Sequence, residues 1–264
     1  MSRKILVGLV VAGLVVFGWS QVSSAVKYGS GVIVKNQAGG FVSSDFNGTW
    51  NMYTAWQDKD AVNNGWVYGP ITSDGAGAIT AGTTLSFQDG GTDTVAAGST
   101  YTVNADGTMT STLNLTGGEI INIIGAMNDS KDVVGMVYTV QDSGTDIVYG
   151  SGVIVKNQAG GFVSGDFNGT WNMYTAWQDK DAVNNGWVYG PITSDGAGAI
   201  TAGTTLTVQD GGTDTVAAGS TYTVNADGTM TISMPSEGVT LTGAITDPKD
   251  VVGFLCLQYF SILW

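Results

Sequence analysis

The chain has no histidine, one cysteine, four prolines and only nine basic residues in 264. Each shortage removes a class of function. Without histidine, and with the only thiol at Cys256, the usual nucleophile and base constellations cannot be assembled. Glu119 and Glu237 are the only glutamates. No spacing selects either of them, with Asp60 or Asp132 as partner, for the carboxylate pair that glycoside hydrolysis needs. The inventory therefore predicts a protein that is not an enzyme and takes no cofactor. A single cysteine also excludes an intrachain disulfide framework. The scarcity of proline, together with abundant glycine and threonine and no sustained helical period, points to strands joined by tight turns.

Positive charge is scarcer still in the expected mature chain. Arg3 and Lys4 precede an uncharged apolar run over 5–19, and Ser23-Ser24-Ala25 supplies the small residues of a signal-peptidase site. Cleavage is expected after Ala25, which places the protein outside the cell or in the cell envelope. The competing reading, an uncleaved anchor, meets three glycines inside a run shorter than the ~20 apolar residues a span needs. Removing 1–25 deletes those two cations and leaves seven lysines against 22 acids, a net of −15. Nucleic acid is excluded as a partner on that balance.

What the chain does have is one module written twice. Residues 28–110 return as 149–231 at an offset of 121, with only Ser44→Gly, Ser86→Thr and Phe87→Val between them. The copies then lose three residues: Glu119 realigns with Glu237, and 131–135 with 249–253. Beyond that point 136–142 is replaced by the unrelated apolar text 254–260, which suggests an altered last strand.

Period-two alternation is visible along each copy. Met109, Leu113 and Leu115 share one face and Thr108, Thr110, Thr112 and Asn114 the other, while Asn104-Ala105-Asp106-Gly107 and Ser73-Asp74-Gly75 offer hairpin turns. Strands are expected near 29–35, 48–56, 65–72, 77–87, 92–96, 99–104, 108–115, 119–126, 132–141 and 146–156, and again in the second copy. The fold class is all-β: two tandem antiparallel β-barrels or sandwiches of about 115–120 residues, a common domain size. The expected organisation is a signal peptide over 1–25, an N-terminal strand segment over 26–40, repeat 1 over 41–157, and repeat 2 over 158–264 with a divergent C-terminal strand.

Two constellations are candidate sites. Trp56, Trp66 and Tyr68, repeated as Trp177, Trp187 and Tyr189, could form a stacking platform for a glycan or line a pocket for a small apolar ligand. Their wider cluster, with Trp50, Tyr53, Trp171 and Tyr174, reads equally as barrel core and end plug. Asp58, Asp60 and Asn63, repeated as Asp179, Asp181 and Asn184, place oxygens at close spacing. They miss the calcium-loop pattern by one residue and have no closing Glu, so a solvated loop competes with a metal site.

Phe46-Asn47-Gly48-Thr49-Trp50 and Phe167-Asn168-Gly169-Thr170-Trp171 resemble the Gly-x-Trp opening strand of the calycin barrels, the lipocalin and avidin group. That resemblance implies a barrel with Trp50 or Trp171 buried at one end. Over most of each copy the order of a Gly-Thr-Trp strand, Gly-rich hairpins, a Lys-Asp strand and a Val-Lys strand is similar to tandem repeats of uncharacterised secreted bacterial β-proteins. This second likeness implies fold and export only.

Three function classes remain. The first is a secreted or envelope module, non-catalytic, that binds through its surface or serves as a structural repeat. The second is a lipocalin-like carrier of a small apolar ligand, and the third an outer-membrane β-barrel, suggested by Trp264 and the aromatic tail. The phase of the repeat is open as well. Residues 149–156 could close unit one, leaving the identical text at 28–35 to complete unit two within the chain or, by N-terminal strand exchange, in a neighbouring molecule. In the opposite phase 28–35 opens unit one and 149–156 opens unit two.

Overall fold

A computed structural model of the chain describes residues 39–57, 64–88, 90–141, 147–157, 160–177, 186–208, 212–235, 239–247, 249 and 252–258. Unit one starts with a 3-10 turn, η1 (Ser43–Phe46). Nine strands follow: β1 (Gly48–Gln57), β2 (Gly65–Ser73), β3 (Thr84–Phe87), β4 (Thr92–Thr94), β5 (Thr100–Val103), β6 (Thr108–Asn114), β7 (Ile120–Met127), β8 (Val133–Gln141) and β9 (Ile147–Lys156). All pair antiparallel in one sheet of order β4-β3-β2-β1-β9-β8-β7-β6-β5. The sheet curls until its ends approach. Isolated bridges Ala78↔Thr100 and Val95↔Leu115 join the two halves.

Curling is what period two demands of these residues. One face of each strand carries large apolar groups, and rolling the sheet collects them on a single side. Trp50, Met52, Ile71, Leu85, Met109, Leu113, Ile121, Ile123, Val134 and Ile154 are all buried in that interior. The opposite face of β5 and β6 carries Thr100, Thr102, Thr108 and Thr110, which are exposed.

One end of the rolled sheet is plugged. Trp50 is fully buried, stacks on Phe46 at 4.5 Å between ring centroids, and donates its indole N–H to the Phe46 carbonyl at 3.0 Å. The Ser73 hydroxyl donates to the same carbonyl, and the Tyr101 phenol donates to the Ser43 carbonyl. Lys131, in the left-handed region at φ 59°, bridges from the β7–β8 turn to Asp45 at 2.9 Å and lies over the Phe41 ring.

Unit two repeats the plan with η2 (Ser164–Phe167), β10 (Gly169–Trp177), β11 (Gly186–Ser194), β12 (Thr205–Val208), β13 (Thr213–Thr215), β14 (Thr221–Val224), β15 (Thr229–Met234), β16 (Val239–Ile245) and β17 (Val252–Gln258). It differs in one respect. Its strands form two separate four-stranded sheets, β10-β11-β12-β13 and β14-β15-β16-β17, linked by the bridge Ala199↔Thr221. In unit one β9 lies between β1 and β8 and makes the sheet continuous. No described strand occupies that place between β10 and β17.

The pairing of β9 settles the phase of 149–156: this text closes unit one, and the reading in which it opens unit two is overturned. The expected strand at 28–35 lies outside the described residues. The expected strand over 77–87 is broken. Ala78 and Ile79 make only bridges, Gly82 turns the chain at φ 100°, and β3 begins at Thr84. The expectation that Trp171, like Trp50, is buried at a barrel end also needs correction. Trp171 keeps the plug geometry, with its N–H donated to the Phe167 carbonyl, yet it is only partly buried. The reason is local: Lys156 of β9 lies over the Trp50 ring at 5.6 Å, and β10 has no described strand on that side.

Candidate functional site

The β1–β2 hairpin sorts its aromatic residues onto two faces. Trp50, Met52, Thr54 and Trp56 alternate inward. Trp56 packs against the interior and against Phe87 at 6.2 Å. A side chain at Gly65 would place its Cβ 2.3 Å from the Trp56 ring, so the glycine opposite makes the room. The outward residues are Tyr53 and Ala55, paired across the ladder with Tyr68 and Trp66. Trp66 and Tyr68 lie 5.3 Å apart between centroids. Of the sequence-derived set, therefore, Trp66 and Tyr68 share the outer face and Trp56 belongs to the interior.

The same register recurs in unit two, with Tyr174 opposite Tyr189 and Ala176 opposite Trp187. Tyr174 and Tyr189 stack at 6.2 Å with 9° between their planes, and Trp187 continues the stack 5.7 Å from Tyr189. The Trp177 side chain lies outside the described residues, as do all six oxygen-bearing candidates Asp58, Asp60, Asn63, Asp179, Asp181 and Asn184. Among the described residues no group of three His, Cys, Asp or Glu could hold a metal ion.

The two outer faces differ in what covers them. In unit one Tyr53, Val155, Ala244 and Leu255 form one buried cluster, with Ala55, Trp66, Tyr68 and Val153 packed around it. The β16–β17 edge of unit two thus lies on the β1–β2–β9 face of unit one. Contact is close enough that a Cβ at Gly253 would stand 2.6 Å from Val155 Cγ2 and 2.7 Å from Val153 Cγ2. Burial pushes the Tyr53 phenol well above the usual tyrosine range, and the negative charge of Asp227 in unit two adds to it. Tyr53 is 4% exposed, whereas Tyr174 and Tyr189 are 50% and 43% exposed. A second apolar surface is bare. Ile124 on β7 and Val137 on β8 are 63% and 52% exposed, although Val137 aligns with the buried Leu255.

An open cleft of about 370 Å³ is lined by Ser44, Asp45, Ser130, Lys131, Asp132, Lys156 and Asp247. Within it Lys131 pairs with Asp45. Burial raises the Asp45 carboxyl, but the hydrogen bond from Lys131, the Val42 backbone N–H and the nearby lysine charges outweigh it and hold the group below the ordinary carboxylate range. Asp166 is likewise held down, first by Lys249 and then by the Val163 N–H. A carboxylate stabilised in its charged form makes a structural clamp and a poor proton donor near neutral pH.

Sequence reasoning did not find the outer face formed by Val153, Val155, Ala244 and Leu255, nor its bare counterpart at Ile124 and Val137. The one available signal was the run Ile120-Ile121-Asn122-Ile123-Ile124, which puts an isoleucine on the wet face of β7. Comparison of the chain with family models, curated proteins and solved structures finds no match.

Proposed function

We propose that this chain is a non-catalytic module of the cell envelope or extracellular space that works through the outer faces of its β-units. The observation that carries this reading is the contrast between a filled interior and dressed outer faces. The interior of unit one is occupied by its own side chains, Trp50, Met52, Met109 and Ile121 among the largest, where a carrier would keep a cavity. Tyr53, Trp66 and Tyr68 of the β1–β2 hairpin are instead directed outward; Tyr53 is buried under unit two, whereas its counterpart Tyr174 and the neighbouring Tyr189 are exposed. Exposed aromatic groups with few torsions are effective contact surfaces.

The outer-membrane alternative gains nothing from the strand faces. A barrel in lipid turns its apolar residues outward, and here Thr100, Thr102, Thr108 and Thr110 occupy that side. The surplus of acids, expected export and absent histidine fit a structural or binding role and offer no catalytic one. The test is ligand uptake by the chain without residues 1–25. A long-chain apolar fluorescent dye should show no saturable binding. Saturation at two equivalent sites per chain, competed by a fatty acid, would establish the carrier and overturn the proposal.

A further inference from the structure

We infer that this protein assembles head to tail with copies of itself, each copy inserting residues 28–35 as the missing ninth strand of unit two in the copy before it. The inference rests on the outer-face reading above and names its partner as a second copy of this chain. Four observations converge on it.

The first is the gap. In unit one β9 pairs with β1 through Trp50↔Lys156 to Gln57↔Tyr149, and with β8 through Val133↔Val155 to Gln141↔Ile147. In unit two no ladder joins the corresponding edges of β10 and β17 among the described residues, although the two strands come within 8 Å of each other at a few positions, so an entering strand must part them there. An unpaired edge is a template for another strand. The exposures agree: the inward-facing Trp50 on β1 is fully buried, while Trp171 on β10 is only partly so.

The second is the strand that fits. Tyr28-Gly29-Ser30-Gly31-Val32-Ile33-Val34-Lys35 is identical to the text of 149–156, which already performs this closure in unit one. Placed at the same register, Lys35 lies over Trp171 as Lys156 lies over Trp50. Ile33 takes the interior position of Ile154, between Met173 and Val252, and Val32 and Val34 face outward beside Tyr174.

The third is chain connectivity, which decides whose strand it is. Lys156 leads within four residues to Gly160, and two further on the Phe162 N–H donates to Ala226 O at the start of unit two. Lys35 leads by the same spacing to Gly39, and the Phe41 N–H donates to Ala105 O at the start of unit one. A strand of this text therefore enters the unit that follows it in the chain and closes the unit that precedes it. The connection is short, since four residues reach at most ~14 Å. In the proposed assembly, the unit that 28–35 closes is unit two of another copy.

The fourth is surface. The step that relates unit two to unit one buries the outer aromatic face of one against the β16–β17 edge of the other. Repeating that step between copies brings Tyr174, Trp187 and Tyr189 onto β7 and β8 of the next unit one, where Ile124 and Val137 stand exposed. Closure within a single chain would cover both aromatic faces with the partner unit, yet Tyr174 and Tyr189 are open. The contact joins two different surfaces, so it propagates into a ring or a filament.

Cross-linking the chain without residues 1–25 tests the inference. In a Cys256→Ser background, Val34→Cys and Asn172→Cys occupy the positions equivalent to the ladder pair Val155 and Asn51. Mild oxidation should give a ladder of covalent oligomers on a denaturing gel. A monomer of altered mobility, which signals closure within one chain, or no cross-link at all overturns the proposal. Val137→Lys provides an independent arm, because its exposed site leaves the monomer fold intact. By light scattering the parent should be oligomeric and this variant predominantly monomeric. A monomeric parent, or an assembly unmoved by Val137→Lys, overturns the head-to-tail contact and leaves the outer-face reading to stand or fall on the dye measurement.

Discussion

Trp50 and Trp171 have the same neighbours in sequence and different fates in the fold, which isolates what one adjoining strand contributes. Both indoles stack on a phenylalanine and donate to its carbonyl at 3.0 Å. Among the described residues only Trp50 has a strand laid along its open side, with Lys156 over the ring. Trp50→Ala is expected to cost about 3–5 kcal/mol, the range for emptying a fully buried aromatic site. Trp171→Ala should cost clearly less in the unassembled chain, because part of its surface is already in water. Urea titration of the two variants checks the order, and equal losses would show that β9 adds nothing to the plug. The lysine clamps belong to the same scale. Lys131 and Lys249 adopt φ of 59° and 71°, a region non-glycine residues seldom enter, and each is tied to an aspartate and an aromatic ring.

At the scale of elements, most strands were readable because alternation and glycine turns act locally. The spans expected at 108–115, 119–126 and 132–141 differ from β6, β7 and β8 by a residue or so at their ends. The break before β3 was not readable, since Ala78-Ile79-Thr80 alternates like a strand and the turn at Gly82 competes with that pattern only in three dimensions. Nor were η1 and η2, whose apolar Phe46 and Phe167 are buried without any helical period to announce them. The candidate aromatic site was half legible. Alternation groups Trp66 with Tyr68, but which face they occupy depends on the pairing with Tyr53 and Ala55, a long-range property. The contact of β17 with β9 is equally non-local, and it depends on a residue with no side chain. Gly253→Val adds a branch where Val153 and Val155 already stand within 3 Å of a Cβ. Both units should keep their β-sheet circular dichroism while the wedge separates them. X-ray scattering should then report a larger radius of gyration, and an unchanged radius would show that the units do not rely on this contact.

At the scale of the whole molecule, the two units carry nearly the same text and unequal structure, so their stabilities should separate. Unit one is a single nine-stranded sheet, whereas unit two is two four-stranded sheets whose facing edges have no ladder partner among the described residues, with Trp171 only partly buried beside them. In a chain unable to donate its own strand, such as one carrying Ile33→Pro, where proline removes a ladder donor and blocks pairing, urea should reveal two transitions with unit two unfolding first. A synthetic peptide of residues 28–35 should then move the first transition alone. A ligand that binds only the folded state stabilises it by RT ln(1 + [L]/Kd), about 2.7 kcal/mol at a hundredfold excess over Kd. The identity of the peptide with β9 supplies the control, because unit one already holds that strand and gains nothing from more of it. A scrambled peptide of the same composition should have no effect. If the authentic peptide leaves both midpoints in place, or shifts them together, the open edge of unit two is not the place this strand was made to fill.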